Sequence, residues 1–187
     1  MIRWNGRNHQ METNKTKDKR LISIVGVIAA TILYAVVPKY EGVEQVGYLD
    51  PVGIPTKCMG DTNDVVVGKV YTMQECLDSL GTQLYKHAVH VVQCTPSIVK
   101  YPETLAAAVS FAYNIGVNAY CNSGTARAFR EGNLLLGCKR MNENAMGKPQ
   151  WVTAKGKVLK GLVIRRAEER ALCEKGITNT PLGGAVS

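Results

Sequence analysis

The first forty residues divide into a charged stretch and an uninterrupted apolar one. Residues 1–20 carry six basic and two acidic side chains, and "LISIVGVIAATILYAVV" from Leu21 to Val37 then holds no charge. A helix of this length would span about 25 Å, near the lower limit for crossing a bilayer. A basic flank before an apolar run is typical of an export signal whose positive end stays in the cytoplasm.

Small or polar residues dilute the apolar run, and no cleavage site follows it. The diluting positions are Ser23, Gly26, Ala29, Ala30, Thr31 and Ala35. Pro38, Lys39 and Tyr40 come next, without the small-x-small pattern of a signal cleavage site. We expect a segment that inserts in a membrane but is held there weakly. A buried core helix is the alternative, but such a helix normally shows polar positions on one face, and this run shows almost none.

The chain after the apolar run predicts a small sheet followed by helices. From Tyr40 to about Tyr71, short apolar pieces are broken by glycines and prolines, which indicates antiparallel strands joined by turns. Thr72 and Glu75 then form a capping box that begins a helix running toward Gln93. This order of elements is typical of the α+β class.

Four further helical segments are predicted. Pro102 begins "PETLAAAVSFAYNIG", whose apolar residues recur at helical spacing and whose Gly116 suits the helix end. Ser123 suits the cap of a short helix ending at Gly132, and "NLLLGCKRMNEN" and "LVIRRAEERALC" supply two more. The tail "TNTPLGGAVS" is predicted to be disordered.

Charge and cysteine content narrow the class of protein. The formal net charge is +8, yet the chain shows no zinc-ligand spacing, no aromatic residues interleaved with basic ones and no helix-turn-helix pattern, so nucleic-acid binding is not expected.

All six cysteines follow the apolar run, and none lies in a C-x-x-C pair. Widely spaced cysteines after an export-like segment indicate disulfides formed in an oxidising compartment. Six reduced thiols in a cytosolic protein are the alternative.

Two carboxylates at the start of the predicted sheet are candidates for acid–base chemistry. Glu41 and Asp50 are nine positions apart, and the hydroxyl of Thr56 lies six further on. Such a pair can hydrolyse a glycosidic bond if one carboxyl acts as the acid and the other activates water. On their own, two acids at this spacing are more often solvated carboxylates on the surface.

The complete pattern resembles a known family. "E-G-x-x-x-x-x-Y-x-D-x-x-G-x-x-T", from Glu41 to Thr56, is similar to the catalytic signature of the T-even-type phage lysozymes, glycoside hydrolase family 24. "ETLAAAVSFAYNIG" and "GLVIRRAEERALC" are similar to two later signature helices of that family, in the same order. The resemblance extends from about Tyr40 to Cys173 and implies a lysozyme-like α+β fold with a helical lobe.

The resemblance also implies roles for these residues. Glu41 would be the general acid, and Asp50 with Thr56 would position and activate the attacking water, with inversion at the sugar and no cofactor or metal. Many members read Gly-His-Thr where this chain has Gly60-Asp61-Thr62, so a histidine that often braces the hairpin is absent. Arg165 and Arg166 either include a partner for an active-site carboxylate or belong to a solvated helix face.

Placement of the signature helices also suggests how the cysteines pair. The expected disulfides are Cys58–Cys76, Cys94–Cys121 and Cys138–Cys173.

Phage endolysins with an uncleaved, weakly hydrophobic N-terminus are known as signal-anchor-release enzymes, and residues 21–37 resemble their anchor. The chain then divides into a basic cytoplasmic-side arm (1–20), the transmembrane segment (21–37), the catalytic domain (38–177) and a flexible tail (178–187).

The implied partners are bacterial peptidoglycan and the inner membrane. The implied location is the host periplasm, where the protein is first tethered to the membrane and then released as a monomer. None of the six cysteines lies in the segment, so control by a thiol there is not expected.

Two other functions remain open from the sequence. A membrane-anchored peptidoglycan-binding or inhibitory protein with the lysozyme fold and no turnover would explain the missing histidine. A holin-like pore would need a second apolar span, and no second run of that length follows.

Overall fold

The computed structural model describes residues 6–179, and side chains from residue 19 onward. The described elements are helix α1 (Gly6–Glu41), strands β1 (Glu44–Leu49) and β2 (Pro55–Cys58), and helix α2 (Met73–Cys94). A short 3₁₀ turn (Pro96–Ile98) precedes helices α3 (Pro102–Ile115), α4 (Val117–Asn122), α5 (Gly124–Arg130) and α6 (Leu134–Lys139). Strands β3 (Thr153–Ala154) and β4 (Lys157–Val158) lead into helix α7 (Lys160–Asn179).

Helix α3 is the centre of the helical lobe. Its residues 104–112 are all buried, and the helix packs against α1, α2 and α7. Gly176 allows α7 to approach closely, because a Cβ at that position would lie 2.5 Å from the Thr104 hydroxyl. The burial of α3 on all sides explains why its sequence is rich in alanine and apolar residues. The predicted α+β, lysozyme-like class is confirmed.

The strands form two small antiparallel pairs. β1 pairs with β2, with Tyr48 opposite Thr56, and β3 pairs with β4. An isolated bridge between Val46 and Val70 extends the first pair. The pairing of β3 with β4, just before α7, was not predicted, because strands of two residues carry no periodic pattern.

Local signals in the sequence located most helix ends. The Thr72–Glu75 capping box is present at the start of α2. Ser123 caps α5 by accepting from the backbone of Ala126, and Gly116 ends α3. Helix α6 is shorter than predicted, and α7 continues to Asn179, into the predicted tail. The rest of that tail, residues 180–187, lies outside the described residues, as do residues 1–5 of the basic arm.

The predicted start of the sheet region at Tyr40 was wrong. Tyr40 and Glu41 do not begin the sheet region but form the last turn of α1, which continues through Pro38. Gly42, with φ of 72°, ends the helix and donates its N–H to the carbonyl of Pro38 at 3.0 Å. Pro38 lies inside the helix and donates no N–H to the preceding turn, so the helix continues past it at the cost of one backbone hydrogen bond. The candidate acid therefore belongs to the same helix as the apolar segment.

The apolar segment packs on the domain along one face. A stripe of side chains at a spacing of four residues is buried in the core: Leu21, Val25, Ala29, Leu33 and Val37. Ile22, Val27 and Ile28 on the other face are exposed. Within the described residues, Lys19–Glu41 is the one helix long and apolar enough to cross a membrane, with a mean hydropathy of 2.4. The structure therefore shows a packed core helix, whose length and composition also suit a membrane span.

A break at Gly26 divides α1. Its φ of 77° and ψ of 167° lie in a region that essentially only glycine adopts. A Cβ built there would meet no atom within 4 Å, so the backbone angle alone requires glycine.

Three disulfides fasten the domain. They join Cys58 to Cys76, Cys94 to Cys121, and Cys138 to Cys173, as predicted, and none of the six cysteines is free. The first joins β2 to α2, the second α2 to α4, and the third α6 to α7. Each bridge is expected to stabilise the fold by about 2–4 kcal/mol through restriction of the unfolded chain.

If the protein is exported as expected from its sequence, material recovered from the periplasm should contain these three disulfides. Non-reducing peptide mapping should yield the three linked peptide pairs, and reduction should lower the free energy of unfolding. Six free thiols in periplasmic material would contradict both the pairing and the compartment.

We also predict that Gly26→Ala destabilises the packed form by about 1–3 kcal/mol, because alanine must leave the observed φ and ψ. Denaturant unfolding of the soluble protein measures this, with Ser23→Ala as a matched control at an exposed helical position. Equal stability of the two variants would show that the break at Gly26 is not a requirement of packing.

Candidate active site

Glu41 reaches from the end of α1 to α7. Its Oε1 accepts from Nη1 of Arg165 at 2.6 Å, and its side chain is 22% exposed whereas that of Arg165 is 4% exposed. Of the two arginines considered from the sequence, Arg165 is thus the carboxylate partner. The pair places a solvent-accessible acid against a buried cation.

Arg165 is fixed by groups other than Glu41. Its Nε donates to Oε1 of Glu169 at 3.0 Å, and its Nη2 donates to the carbonyl of Ser110 at 3.1 Å. The Ser110 hydroxyl donates to the same Glu169 oxygen at 2.8 Å. Each nitrogen of the guanidinium therefore has a different partner, which fixes both its position and its plane.

Glu169 and Arg166 complete a buried charge cluster. Burial raises the pKa of Glu169, against the opposing effect of the two arginines and Ser110. Burial lowers the pKa of Arg166 to about 10, although the charge of Glu169 acts in the other direction. Nη2 of Arg166 lies 2.9 Å from Oε2 of Glu169, but the angles do not make a hydrogen bond, and the guanidinium lies over the Phe111 ring at 4.7 Å. The buried charge of Arg166 is therefore stabilised mainly by the negative charge of Glu169 and by the face of the Phe111 ring, and less by hydrogen bonds.

The role of Glu169 was not predicted from the sequence. The signal was available in "RRAEE", because Glu169 follows Arg165 by four residues and Arg166 by three, the spacings that bring helical side chains together. What the pattern could not show is that this face of α7 is buried against α3.

Asp50 lies at the turn between β1 and β2. Its Oδ1 accepts from the backbone N–H groups of Val52 at 2.9 Å and Ile54 at 2.8 Å. Gly53, with φ of 85°, closes the turn by donating to the carbonyl of Asp50. The turn therefore fixes the carboxylate, which remains partly accessible to solvent.

Thr56 lies on β2, six residues after Asp50, and is 5% exposed. Its hydroxyl donates to the carbonyl of Ile54 at 3.0 Å. A hydroxyl whose proton is used in this way still has lone pairs that can accept from a water molecule.

A cleft of about 470 Å³ opens beside Glu41. It is lined by residues from the end of α1, from α3 and from the start of α7: Lys39, Tyr40, Glu41, Asn114, Leu159, Gly161, Leu162, Ile164 and Arg165. Asp50 and Thr56 are not among them. The structure thus places Glu41 at this cleft, with the other two candidate residues on the hairpin that follows it in the chain.

Two aromatic side chains near Glu41 were also missed. Burial raises the pKa of Tyr113, and the negative charges of Glu41 and Asp61 add to that effect. Its hydroxyl donates to the carbonyl of Met59 at 2.8 Å, and its ring lies 4.9 Å from that of His87. Burial lowers the pKa of His87, although Glu41 acts in the other direction. No motif singles out either residue.

Asp61 supports the hairpin where the family often has histidine. Its carboxylate accepts from Ser79 and Gln83 of α2, and Nζ of Lys57 lies 3.6 Å away. Burial raises the pKa of Asp61, but hydrogen bonds from Ser79 and Asn63, with the charge of Lys57, outweigh it and leave the pKa below its usual value. The segment after β2 is therefore tied to α2 without a histidine.

Metal chemistry has no apparent site in the described part of the chain. No group of three or more His, Cys, Asp or Glu side chains among those residues could hold a metal ion.

Known proteins match this chain in both sequence and structure. The family model described as phage lysozyme matches residues 38–169. The SAR-endolysin of Enterobacteria phage P21 is 36% identical over 136 residues, which is 71% of this chain and 76% of that protein. The SAR-endolysin of Bacteriophage PS119 is 37% identical over 136 residues, with 71% and 75% covered.

Two solved structures are similar in fold. The muramidase domain of SpmX from Asticaccaulis excentricus has a TM-score of 0.67 and 25% identity, covering 75% of this chain and 93% of that one. The active form of the P1 phage endolysin Lyz has a TM-score of 0.69 and 22% identity, covering 88% and 96%. The family model and the relatives show that the chain belongs to the phage lysozyme family, as a glycosidase of the muramidase type.

Proposed function

We propose that this protein is a phage endolysin that hydrolyses the β-1,4 bond between N-acetylmuramic acid and N-acetylglucosamine in bacterial peptidoglycan and thereby lyses the host cell. The observation that carries the proposal is Glu41, held by Arg165 at the edge of an open cleft. The names of the relatives support a phage enzyme that degrades peptidoglycan.

Glu41 is the proposed general acid. It donates a proton to the glycosidic oxygen, so that the leaving sugar departs as an alcohol. Negative charge develops on Glu41 as the proton leaves, and the guanidinium of Arg165, 2.6 Å from Oε1, stabilises that charge. Because Glu169 and Ser110 already hold Arg165, little reorganisation is needed during the reaction.

Asp50 and Thr56 are the proposed partners of the attacking water. The turn amides fix one oxygen of Asp50, and Thr56 offers an acceptor whose own proton is engaged. A carboxylate that activates water on the opposite face of the sugar gives inversion. Inversion is therefore the proposed stereochemical outcome.

A lysozyme-like protein that binds peptidoglycan without turnover is the alternative. Its main support was the missing histidine in the hairpin, and Asp61 now occupies that place with bonds to α2. The enzyme is therefore the better supported function.

We infer that the apolar segment has two environments during the life of the protein. A basic flank and an apolar helix suit export and tethering to the inner membrane. The buried stripe from Leu21 to Val37 gives the same helix a second place on α2 and α3 after release. Lipid offers no partner for a broken backbone, so the segment is straight in the membrane, and the break at Gly26 belongs to the packed form.

Tethering would also control the catalytic acid. Only Pro38, Lys39 and Tyr40 separate Val37 from Glu41, so a membrane-held segment keeps Glu41 near the lipid headgroups. There the last turn of α1 cannot lie on α7, and the pair of Glu41 with Arg165 is not made. Release then assembles the site.

We predict that Glu41→Gln lowers hydrolysis of purified peptidoglycan by roughly 10²–10⁴-fold, because the proton donor is lost. Asp50→Asn should be severely impaired and Thr56→Ala measurably so. Zymography with a parallel thermal unfolding scan measures this, and Glu44→Gln, an exposed acid on β1, is the matched control. Activity of Glu41→Gln close to that of wild type would contradict the assignment.

We predict that leucine at Ser23, Thr31 and Ala35 traps the protein in the membrane and suppresses lysis. These side chains are exposed in the packed form, so they add apolar surface without disturbing the buried stripe, at about 0.8 kcal/mol per buried CH₂. Leucine at Gly26, Ala29 and Ala30 should trap it too, but would also disrupt packing.

Fractionation of host cells tests release. Wild type should occur in membrane and soluble periplasmic fractions with an intact N-terminus, and the leucine variant only in the membrane. A control with serine at residues 31 and 35 should shift toward the soluble fraction. A soluble form that begins near Pro38 would instead show an ordinary cleaved signal.

A further inference from the structure

The last turn of α1 makes a second set of contacts with α7, next to the pair of Glu41 with Arg165. Nζ of Lys39 lies 2.8 Å and 2.7 Å from the two carboxylate oxygens of Glu168. The Tyr40 hydroxyl donates to Oε2 of Glu168 at 2.6 Å. Glu168 therefore binds the two residues that immediately precede the catalytic acid.

The two sets of contacts are interlocked. Arg165 and Glu168 are three residues apart on α7 and thus on the same face. The Arg165 guanidinium lies over the Tyr40 ring at 4.8 Å while it also binds Glu41. Tyr40 is thereby held by its ring through Arg165 and by its hydroxyl through Glu168.

Arg165 alone does not determine where the last turn of α1 lies. Its guanidinium is fixed by Glu169 and Ser110 from the side of α7 and α3. On the α1 side, Pro38 has no N–H to donate to the preceding turn, and Gly42 ends the helix directly after Glu41. The turn that carries Glu41 thus lacks one backbone bond to its own helix, and the contacts with α7 add to what holds it.

We propose that Glu168 is a positioning residue that seats the catalytic acid Glu41 by binding Lys39 and Tyr40, a proposal that rests on the proposed function. Glu168 does not touch the cleft where the sugar would bind. It acts through Tyr40, which lines that cleft beside Glu41.

The chemistry of the contact favours Tyr40 as the main partner. The Lys39 and Glu168 side chains are 59% and 40% exposed, and exposed ion pairs of this kind contribute little. Tyr40 is more enclosed: burial raises its pKa, and the hydrogen bond to Glu168 raises it further. Hydrogen bonds from Lys39 and Tyr40 lower the pKa of Glu168, so the acceptor is a carboxylate and the hydroxyl keeps its proton at neutral pH.

The contact also suits the proposed release. With the segment in the membrane, Lys39 and Tyr40 lie in the headgroup region, where a lysine and a tyrosine are readily accommodated. Glu168 offers both groups a partner on the protein once the segment leaves the membrane. The carboxylate of Glu168 would thus both position Glu41 and bind the end of the apolar segment on the domain.

The test compares Glu168→Ala with Glu174→Ala. Glu174 lies on the same helix, is 38% exposed, and pairs with Arg170, away from α1. We expect kcat of Glu168→Ala on soluble peptidoglycan fragments to fall about tenfold, with KM within about twofold of wild type, because a positioned acid acts on the transition state. Glu174→Ala should leave both constants and the Tm near those of wild type.

Two further variants separate positioning from a structural role. Glu168→Gln keeps an oxygen that can accept from Tyr40 and should recover part of kcat. Tyr40→Phe should lower kcat, and adding it to Glu168→Ala should cause little further loss, because both remove the same contact. The ¹⁵Nη1 signal of Arg165, the nitrogen that donates to Glu41, reports the pair without any turnover, and it should broaden in Glu168→Ala.

The outcomes distinguish the two proposals. If Glu168→Ala matches Glu174→Ala in kcat and in the Arg165 signal, Glu168 does not position Glu41. A fall in kcat that accompanies a large loss of Tm, without rescue by glutamine, likewise overturns the inference. If wild type does not cleave peptidoglycan, the proposed function is wrong, and the Arg165 signal alone then decides whether Glu168 seats Glu41.

Discussion

The ion pair between Glu41 and Arg165 joins the helix that carries the apolar segment to the centre of the lysozyme lobe. Arg165, Arg166 and Glu169 are buried together, so without Glu41 this cluster holds two positive charges and one negative. An uncompensated buried charge is costly, and Glu41 offsets it: its Oε1 accepts from Arg165 while the proposed acid still carries its proton, and its negative charge pairs with Arg165 after the proton is donated. The contact of α1 with α7 therefore completes the electrostatics of the core at the position of the proposed catalytic acid.

The hairpin is held by a separate set of interactions. A disulfide from Cys58 to Cys76 and the bonds of Asp61 to Ser79 and Gln83 fasten it to α2, and Tyr113 reaches the carbonyl of Met59 from α3. Asp50 and Thr56 are ordered by the turn and strand themselves. In the proposed mechanism, the side of the site that activates water is thus ordered without contacts from α1, whereas the proposed acid lies on α1 itself.

Elements with a local physical cause were predictable from the sequence. The capping box at Thr72, the cap at Ser123 and the helix end at Gly116 each depend on neighbouring residues, and the structure contains all three. The candidate residues and the cysteine pairing followed from a resemblance to a family, since distance along a chain does not fix distance in space.

What sequence could not give depends on tertiary contacts. Tyr40 and Glu41 are helical because α7 receives them, although Pro38 and Gly42 indicate a break. Glu169 looks like a solvated acid until α3 covers it. Asp61 replaces a histidine through partners on α2 that lie 18 and 22 residues away.

The apolar segment shows why a single pattern supported two interpretations. A helix that spans a membrane needs apolar side chains on every face, whereas a helix on a protein surface needs them on one. A helix proposed for both places keeps an apolar circumference, and Ile22, Val27 and Ile28 are exposed while the other face is buried. The sequence does not mark the buried face, because Leu21, Val25 and Leu33 on it are as apolar as the exposed residues opposite them.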